Sequence, residues 1–101
     1  MYGLIGKMIA VPGKRDELID ILLAEVGAMP GCRSYVVARD PANADAVWIT
    51  EVWEDEQSHK ASLAITAVQA AIKRAMPLIA TFAEHIVTEP VGGHGLGDRP
   101  A

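Results

Sequence analysis

Cys32-Arg33-Ser34-Tyr35-Val36-Val37-Ala38, the connecting Arg39-Asp40-Pro41-Ala42-Asn43-Ala44-Asp45, and Ala46-Val47-Trp48-Ile49-Thr50-Glu51-Val52-Trp53 together decide the fold. Two runs rich in β-branched and aromatic residues flank a segment with the Asp, Asn and Pro of a turning loop. They read as adjacent strands of a hairpin. Along the second run both alternating sets are largely apolar, with Val47, Ile49, Glu51 and Trp53 on one face and Ala46, Trp48, Thr50 and Val52 on the other. A strand of that kind is covered on both sides.

Upstream, Tyr2 to Val11 is also apolar on both sets and is stopped by Pro12-Gly13. From Lys14 to Met29 the apolar residues fall at Leu18, Leu22, Val26 and Met29, flanked by Ile19 and Leu23, a helical stripe that Pro30-Gly31 closes. Downstream, Asp55 is placed to cap a short helix through Leu63. Thr66 with Gln69 has the form of a capping box for a second helical segment, Ala67 to Ala75, which Pro77 ends. Thr81 to Glu89 reads as a fourth strand. Strand, helix, strand, strand, helix, strand is the order of an α+β, ferredoxin-like split βαβ sandwich (βαββαβ), an antiparallel sheet with its helices on one face. Residues 1–90 form that single domain, and 91–101 are a Gly-rich tail.

Helices on one face leave the other, apolar face of the sheet wet in a monomer. An apolar face of that size marks an interface. The expected partner is a second copy, giving a homodimer with its sheets packed face to face.

Composition narrows the function. The chain has 101 residues, half of them hydrophobic, and a net charge of −4. Its nine basic residues are dispersed, so there is no stripe to neutralise phosphates and nucleic acid is not an expected partner. No window approaches the ~20 apolar residues of a membrane span, and the start lacks a basic region followed by an apolar core. A cytoplasmic location is expected. Cys32 is the sole cysteine, which excludes an intrachain disulfide, and no histidine pair has the spacing of a zinc site. No metal site is expected.

In its element order, in Pro12-Gly13-Lys14 and Met29-Pro30-Gly31-Cys32, and above all in Glu51-Val52-Trp53-Glu54-Asp55-Glu56 continued by Ser58-His59-Lys60-Ala61-Ser62-Leu63, the chain resembles the antibiotic biosynthesis monooxygenase family of dimeric α/β barrels. The likeness covers residues 2–90. It implies oxidation of, or oxygen insertion into, electron-rich quinols, phenols or anthrones without metal, haem or flavin, in a pocket between sheet and helices. It also implies that the two sheets of a dimer close a barrel. In the anthrone-oxidising branch the site tryptophan corresponds to Trp53 and its tyrosine to His59. Ile49 replaces an asparagine, and Lys73 or Arg74 stands for an arginine. Two histidines common in other members fall on Ser62 and Ala67. The asparagine and ligating histidine of haem-degrading relatives are absent.

The candidate residues each have two readings. Trp53 shares a strand face with Glu51 and either stacks on an aromatic substrate or packs in the core. Glu51, a carboxylate in an apolar run, either orients a substrate hydroxyl or His59, or pairs with Lys7, Arg33 or Arg39. His59 is the candidate general base, since loss of a proton makes a quinol or anthrone electron-rich enough to reduce O₂; its alternative is a surface or capping histidine. Tyr35 and His85 are substrate-binding candidates or ordinary strand residues, and Lys73 or Arg74 would stabilise an anion. Trp48 points to the dimer face, and Cys32 reads as a small buried hydrophobe.

Two functions follow. One is a cofactor-independent monooxygenase or quinol oxidase acting on small aromatic substrates. The other, favoured by Ile49, Ser62 and Ala67, is a non-catalytic dimeric binding module for an aromatic or lipid-like metabolite.

Overall fold

The structure, a computed structural model, describes residues 1–24 and 29–96. The elements are β1 (Tyr2–Ala10), α1 (Arg15–Leu23), β2 (Cys32–Arg39), β3 (Ala46–Trp53), α2 (Glu56–Ser62), α3 (Thr66–Ala75), a 3₁₀ turn (Met76–Leu78) and β4 (Ile79–Thr88). The strands make one antiparallel sheet in the order β2-β3-β1-β4. β3 lies between β1 and β2, and β1 between β3 and β4, so each helical crossover skips one strand. This is the split βαβ, ferredoxin-like sandwich.

The β2–β3 hairpin forms as its loop chemistry requires. Asp40 accepts from the backbone N–H of Ala42 at 2.8 Å, and Asn43 accepts from that of Asp45 at 2.9 Å. These are side chains turning their own backbone two residues on.

α1 lays Leu18, which is fully buried, onto Ala10, Val47 and Ala75. Asp16 and Glu17 in its first turn suit the positive end of the helix dipole. The helix stops at Leu23; Met29 lies outside it, and Val26 falls outside the described residues. The Thr66–Gln69 capping box does not form. The helix starts one residue earlier than that pattern needs, Thr66 is its first residue, and the preceding Ile65 has no side chain able to cap. Ile65 instead offers its carbonyl to the backbone N–H of Gln69 at 2.9 Å.

β4 begins at Ile79, two residues before the sequence pattern suggests, because the 3₁₀ turn at Pro77 leads straight into it. The Leu78 carbonyl accepts from Val11 N–H at 2.8 Å. β4 also contains a bulge. Lys7 pairs with Glu84 but Met8 pairs with Phe82, leaving Ala83 extra. Three residues apart on a regular strand, Phe82 and His85 would face opposite ways; the bulge returns both to the helix side.

The register then fixes which side chains share the helix face. They are Leu4, Gly6 and Met8 on β1, Ile49, Glu51 and Trp53 on β3, Tyr35 and Val37 on β2, and Phe82 and His85 on β4. The other face carries Ile5, Ile9, Val36, Trp48, Val52 and Ile86, of which Val36 and Ile86 are about half exposed.

Candidate functional site

Asp55 fixes the helix that carries His59. Its carboxylate accepts from the Ser58 N–H at 2.7 Å, a side-chain cap on α2. This bond and the adjacent Ser58 contacts hold the Asp55 carboxyl below its usual range. The turn into β2 packs against the start of α2 through Gly31, whose φ of +81° is the left-handed conformation glycine tolerates, and the Gly31 carbonyl accepts from Glu54 N–H at 2.9 Å. Ser62 closes the helix by donating from its hydroxyl to the His59 carbonyl at 2.6 Å.

His59 is thereby held between two aromatic rings. Trp53, 1% exposed, meets the imidazole edge-on with centroids 5.4 Å apart, and Tyr2 lies tilted against it at 5.6 Å. Tyr2 was not foreseen as part of this cluster. It stands opposite Trp53 in the β1–β3 register, which becomes readable only once those strands are known to be neighbours.

Trp53 also donates from Nε1 to Glu51 Oε1 at 2.9 Å. Burial pushes the Glu51 carboxyl above its usual range; the indole hydrogen bond and the His59 and His85 imidazoles oppose that shift without cancelling it. Of the cations considered as partners for Glu51, Lys7 pairs with Asp40 at 3.6 Å, Arg39 pairs with Asp16 at 2.9 Å, and Arg33 donates from Nε to the Leu96 carbonyl at 2.7 Å. Glu51 therefore takes its hydrogen bond from within its own strand.

Glu51, His59, Glu84 and His85 line one cavity of about 340 Å³, whose other walls include Leu4, Met8, Ile49 and Phe82. Met8 and Phe82 also line a second cavity of about 290 Å³ between the sheet and the α1 and α3 helices. Tyr35, opposite Glu51 across the β2–β3 ladder, faces that second cavity. Burial, and then the nearby Glu51 charge, push its hydroxyl pKa well up, so the group stays a donor. The two cavities adjoin at Met8 and Phe82, the first polar toward α2 and the second apolar between α1 and α3.

Lys73 and Arg74 are not in the cleft. The cleft takes Val68, Ala71, Ile72 and Ala75 from α3, one helical face, while Lys73 and Arg74 are exposed on the remaining surface of its last turn. Cys32 is half-buried, its thiol pushed up first by burial and then by Glu51, in keeping with a small hydrophobe. Trp48 is on the opposite face, its indole N–H bound to Asp40 at 3.0 Å and Lys7 Nζ 5.2 Å from its ring centre. Among the described residues, no set of three or more His, Cys, Asp or Glu side chains is arranged to hold a metal ion, and no helix is long and apolar enough to cross a membrane.

The family model described as antibiotic biosynthesis monooxygenase matches residues 1–74, which include Glu51, Trp53 and His59. The chain belongs to this family. It is 61% identical to a solved structure from Chloroflexus aurantiacus J-10-fl, provisionally named an antibiotic biosynthesis monooxygenase, with a TM-score of 0.93 and coverage of 95% of this chain and 98% of that one. A protein of Deinococcus radiodurans with the same provisional name is 23% identical, with a TM-score of 0.77 over 92% of this chain and 95% of that one. Rv0793 of Mycobacterium tuberculosis is 17% identical, with a TM-score of 0.77 over 92% and 97% of the respective chains. The last two share the fold. No curated protein matches the chain. The family match ends before β4, so Phe82 and His85 lie beyond it.

Proposed function

We propose that the protein is a cofactor-independent monooxygenase that oxidises an electron-rich phenolic ring, quinol or anthrone-like, in the cleft between sheet and helices. The observation that carries this reading is the convergence of Glu51, His59 and His85 on a cavity whose remaining lining, Lys7 and Glu84 apart, is apolar. Such a site binds a flat apolar ring and still moves a proton.

In this mechanism His59 accepts the substrate hydroxyl proton, and the Glu51 carboxylate stabilises the imidazolium that forms. The phenolate passes one electron to O₂, giving an aryloxyl radical and superoxide. These combine at a ring carbon that bears hydrogen, forming the C–O bond of a peroxide. The imidazolium returns its proton to the outer peroxide oxygen as the O–O bond breaks and the carbon loses its hydrogen as a proton. The product is a ring carbonyl and one water. His85 offers an imidazole N–H toward the phenolate, a position that Lys73 and Arg74, outside both cavities, do not reach. Trp53 sets the position of the carboxylate and packs against His59, and Tyr35 stands as a donor on the wall of the apolar cavity.

Oxygen uptake with a panel of hydroquinones and anthrones, for the full chain and for His59→Ala, tests this. The expected loss on substitution is about 10²–10⁴-fold in turnover, the usual contribution of a general base. Unchanged turnover removes His59 from the scheme, and no uptake across the panel removes the reaction.

A second reading, a binding module for an aromatic metabolite, is favoured by Ser62, which stands where many members carry a histidine and here is buried and bonded to its own helix. Ligand bound tightly and recovered unaltered supports it. In either reading the active assembly is a homodimer joined through the second sheet face.

A further inference from the structure

The apolar compartment has room for a ligand group of its own beside the polar one. It holds about 290 Å³ and is walled by residues such as Ile21, Leu22, Val68 and Ile72, with Tyr35 the one polar side chain on its lining among the described residues. The polar compartment, by contrast, is lined by Glu51, His59 and His85, with Lys7 and Glu84 beside them. Met8 and Phe82 line both, so the two compartments adjoin at these side chains, one of them a flexible thioether. At the rim Phe82 is 60% exposed, Met76 50% and Ile72 43%, a cluster of large apolar side chains that an apolar ligand would cover.

We propose that the substrate is a phenolic ring carrying a flexible hydrocarbon side chain, alkyl or prenyl. Its ring sits at Glu51, His59 and His85, and its side chain runs past Met8 and Phe82 into the space between α1 and α3. This rests on the reading of the polar compartment as the reaction site. The chemistry of the walls separates this class from a polyhydroxylated fused-ring substrate. Such a molecule would drive hydroxyl groups into a compartment with one donor to meet them, and each unpaired hydroxyl is costly to bury. A hydrocarbon chain loses nothing there, and the thioethers of Met8, Met29 and Met76 adapt to chains of different shape.

The test is calorimetric titration of the full chain under nitrogen with resorcinol and its 4-ethyl, 4-butyl and 4-hexyl derivatives, phenols chosen so that binding is read apart from turnover. Affinity is expected to rise about fourfold or somewhat less for each methylene added until the compartment is full. The binding heat capacity should become more negative along the series. Ala71→Phe, which fills the compartment from α3, is expected to flatten this chain-length dependence. If that variant does not fold, Ile72→Trp at the exposed rim makes the same test. A series with no chain-length dependence overturns the proposal, as does a slope unchanged in both variants. 1-Hexanol binding as tightly as 4-hexylresorcinol would remove the ring from it. A steep series in a protein that consumes no oxygen upholds the side-chain compartment and rejects the reaction; oxygen uptake with a flat series does the reverse.

Discussion

Trp53 Nε1 donates to Glu51 Oε1 across 2.9 Å, so two side chains on one strand face are locked to each other before any ligand arrives. The bond favours the charged form of a carboxyl that burial pushes the other way. Trp53→Phe keeps an aromatic ring and removes the donor, so the Glu51 pKa should rise further. An NMR titration of the Glu51 carboxyl carbon in both proteins measures this, and an unmoved or lower value contradicts the role given to the indole. Trp53→Ala should instead cost stability outright, about 3–5 kcal/mol by chemical denaturation, because the ring it removes is buried.

Glu51 also makes folding depend on pH in a direction opposite to most carboxylates. Below the ordinary glutamate value of 4.5 it is protonated in both folded and unfolded chains and contributes no difference. As pH rises past that value the unfolded chain ionises first while the folded chain keeps its proton. Stability is therefore lost until the folded-state pKa is passed, and the deficit is constant above it. The lowered carboxyls of Asp40 and Asp55 slope the other way, so the informative quantity is a difference. Wild type minus Glu51→Gln, from denaturation curves taken across pH 4 to 8, should fall from about pH 4.5 upward and then level off. A flat or rising difference would show that burial does not dominate at this carboxyl.

The sandwich and the two strand faces were legible because β3 is largely apolar on both alternating sets and its hairpin loop carries its own turn chemistry. Trp53, Glu51 and His59 were legible as a group because a strand end and a capped helix start place them close in sequence. What escaped depended on pairings between distant segments. The bulge at Ala83 reverses the alternation of β4 and turns Phe82 together with His85 into the cleft, which no period-two reading shows. Tyr2 joins His59 only through the β1–β3 register. Lys73 and Arg74 matched a family arginine by sequence order, yet the apolar face of α3 turns them outward.

Gly31 should prove indispensable for the placement of His59. A Cβ there would come within 2.6 Å of Ser58 Cβ and Oγ on α2, and the backbone is left-handed at φ +81°. Gly13 has the same φ but an empty surround. Gly13→Ala thus reports the conformational cost alone, about 1–2 kcal/mol. Gly31→Ala adds the displacement of α2, for a total of about 2–5 kcal/mol. Because Ser58 and His59 are consecutive, the second variant should also lose oxygen uptake under conditions where it remains folded. Equal destabilisation of the two variants would mean that α2 yields freely and that its seat on Gly31 does not set the site.

The second sheet face supplies the test of assembly. Val36 and Ile86 stand about half exposed there beside Ile5, Ile9 and Val52, and the polar end of that face is already satisfied within the chain by the Trp48 bond to Asp40 and the Lys7 ammonium over the indole ring. Its unsatisfied part is therefore apolar, and a second copy offers the same surface in return, as a two-fold interface requires. Light scattering at micromolar concentration should give twice the chain mass of 10.8 kDa. Ile86→Glu places a charge in the middle of the joint and should shift the protein to monomer, because a carboxylate buried without a partner outweighs the apolar contact it replaces. Lys73→Glu, on the exposed side of α3, changes the surface charge by twice as much and should leave the mass unchanged. A wild-type monomer, or a dimer indifferent to Ile86→Glu, would exclude this face as the joint.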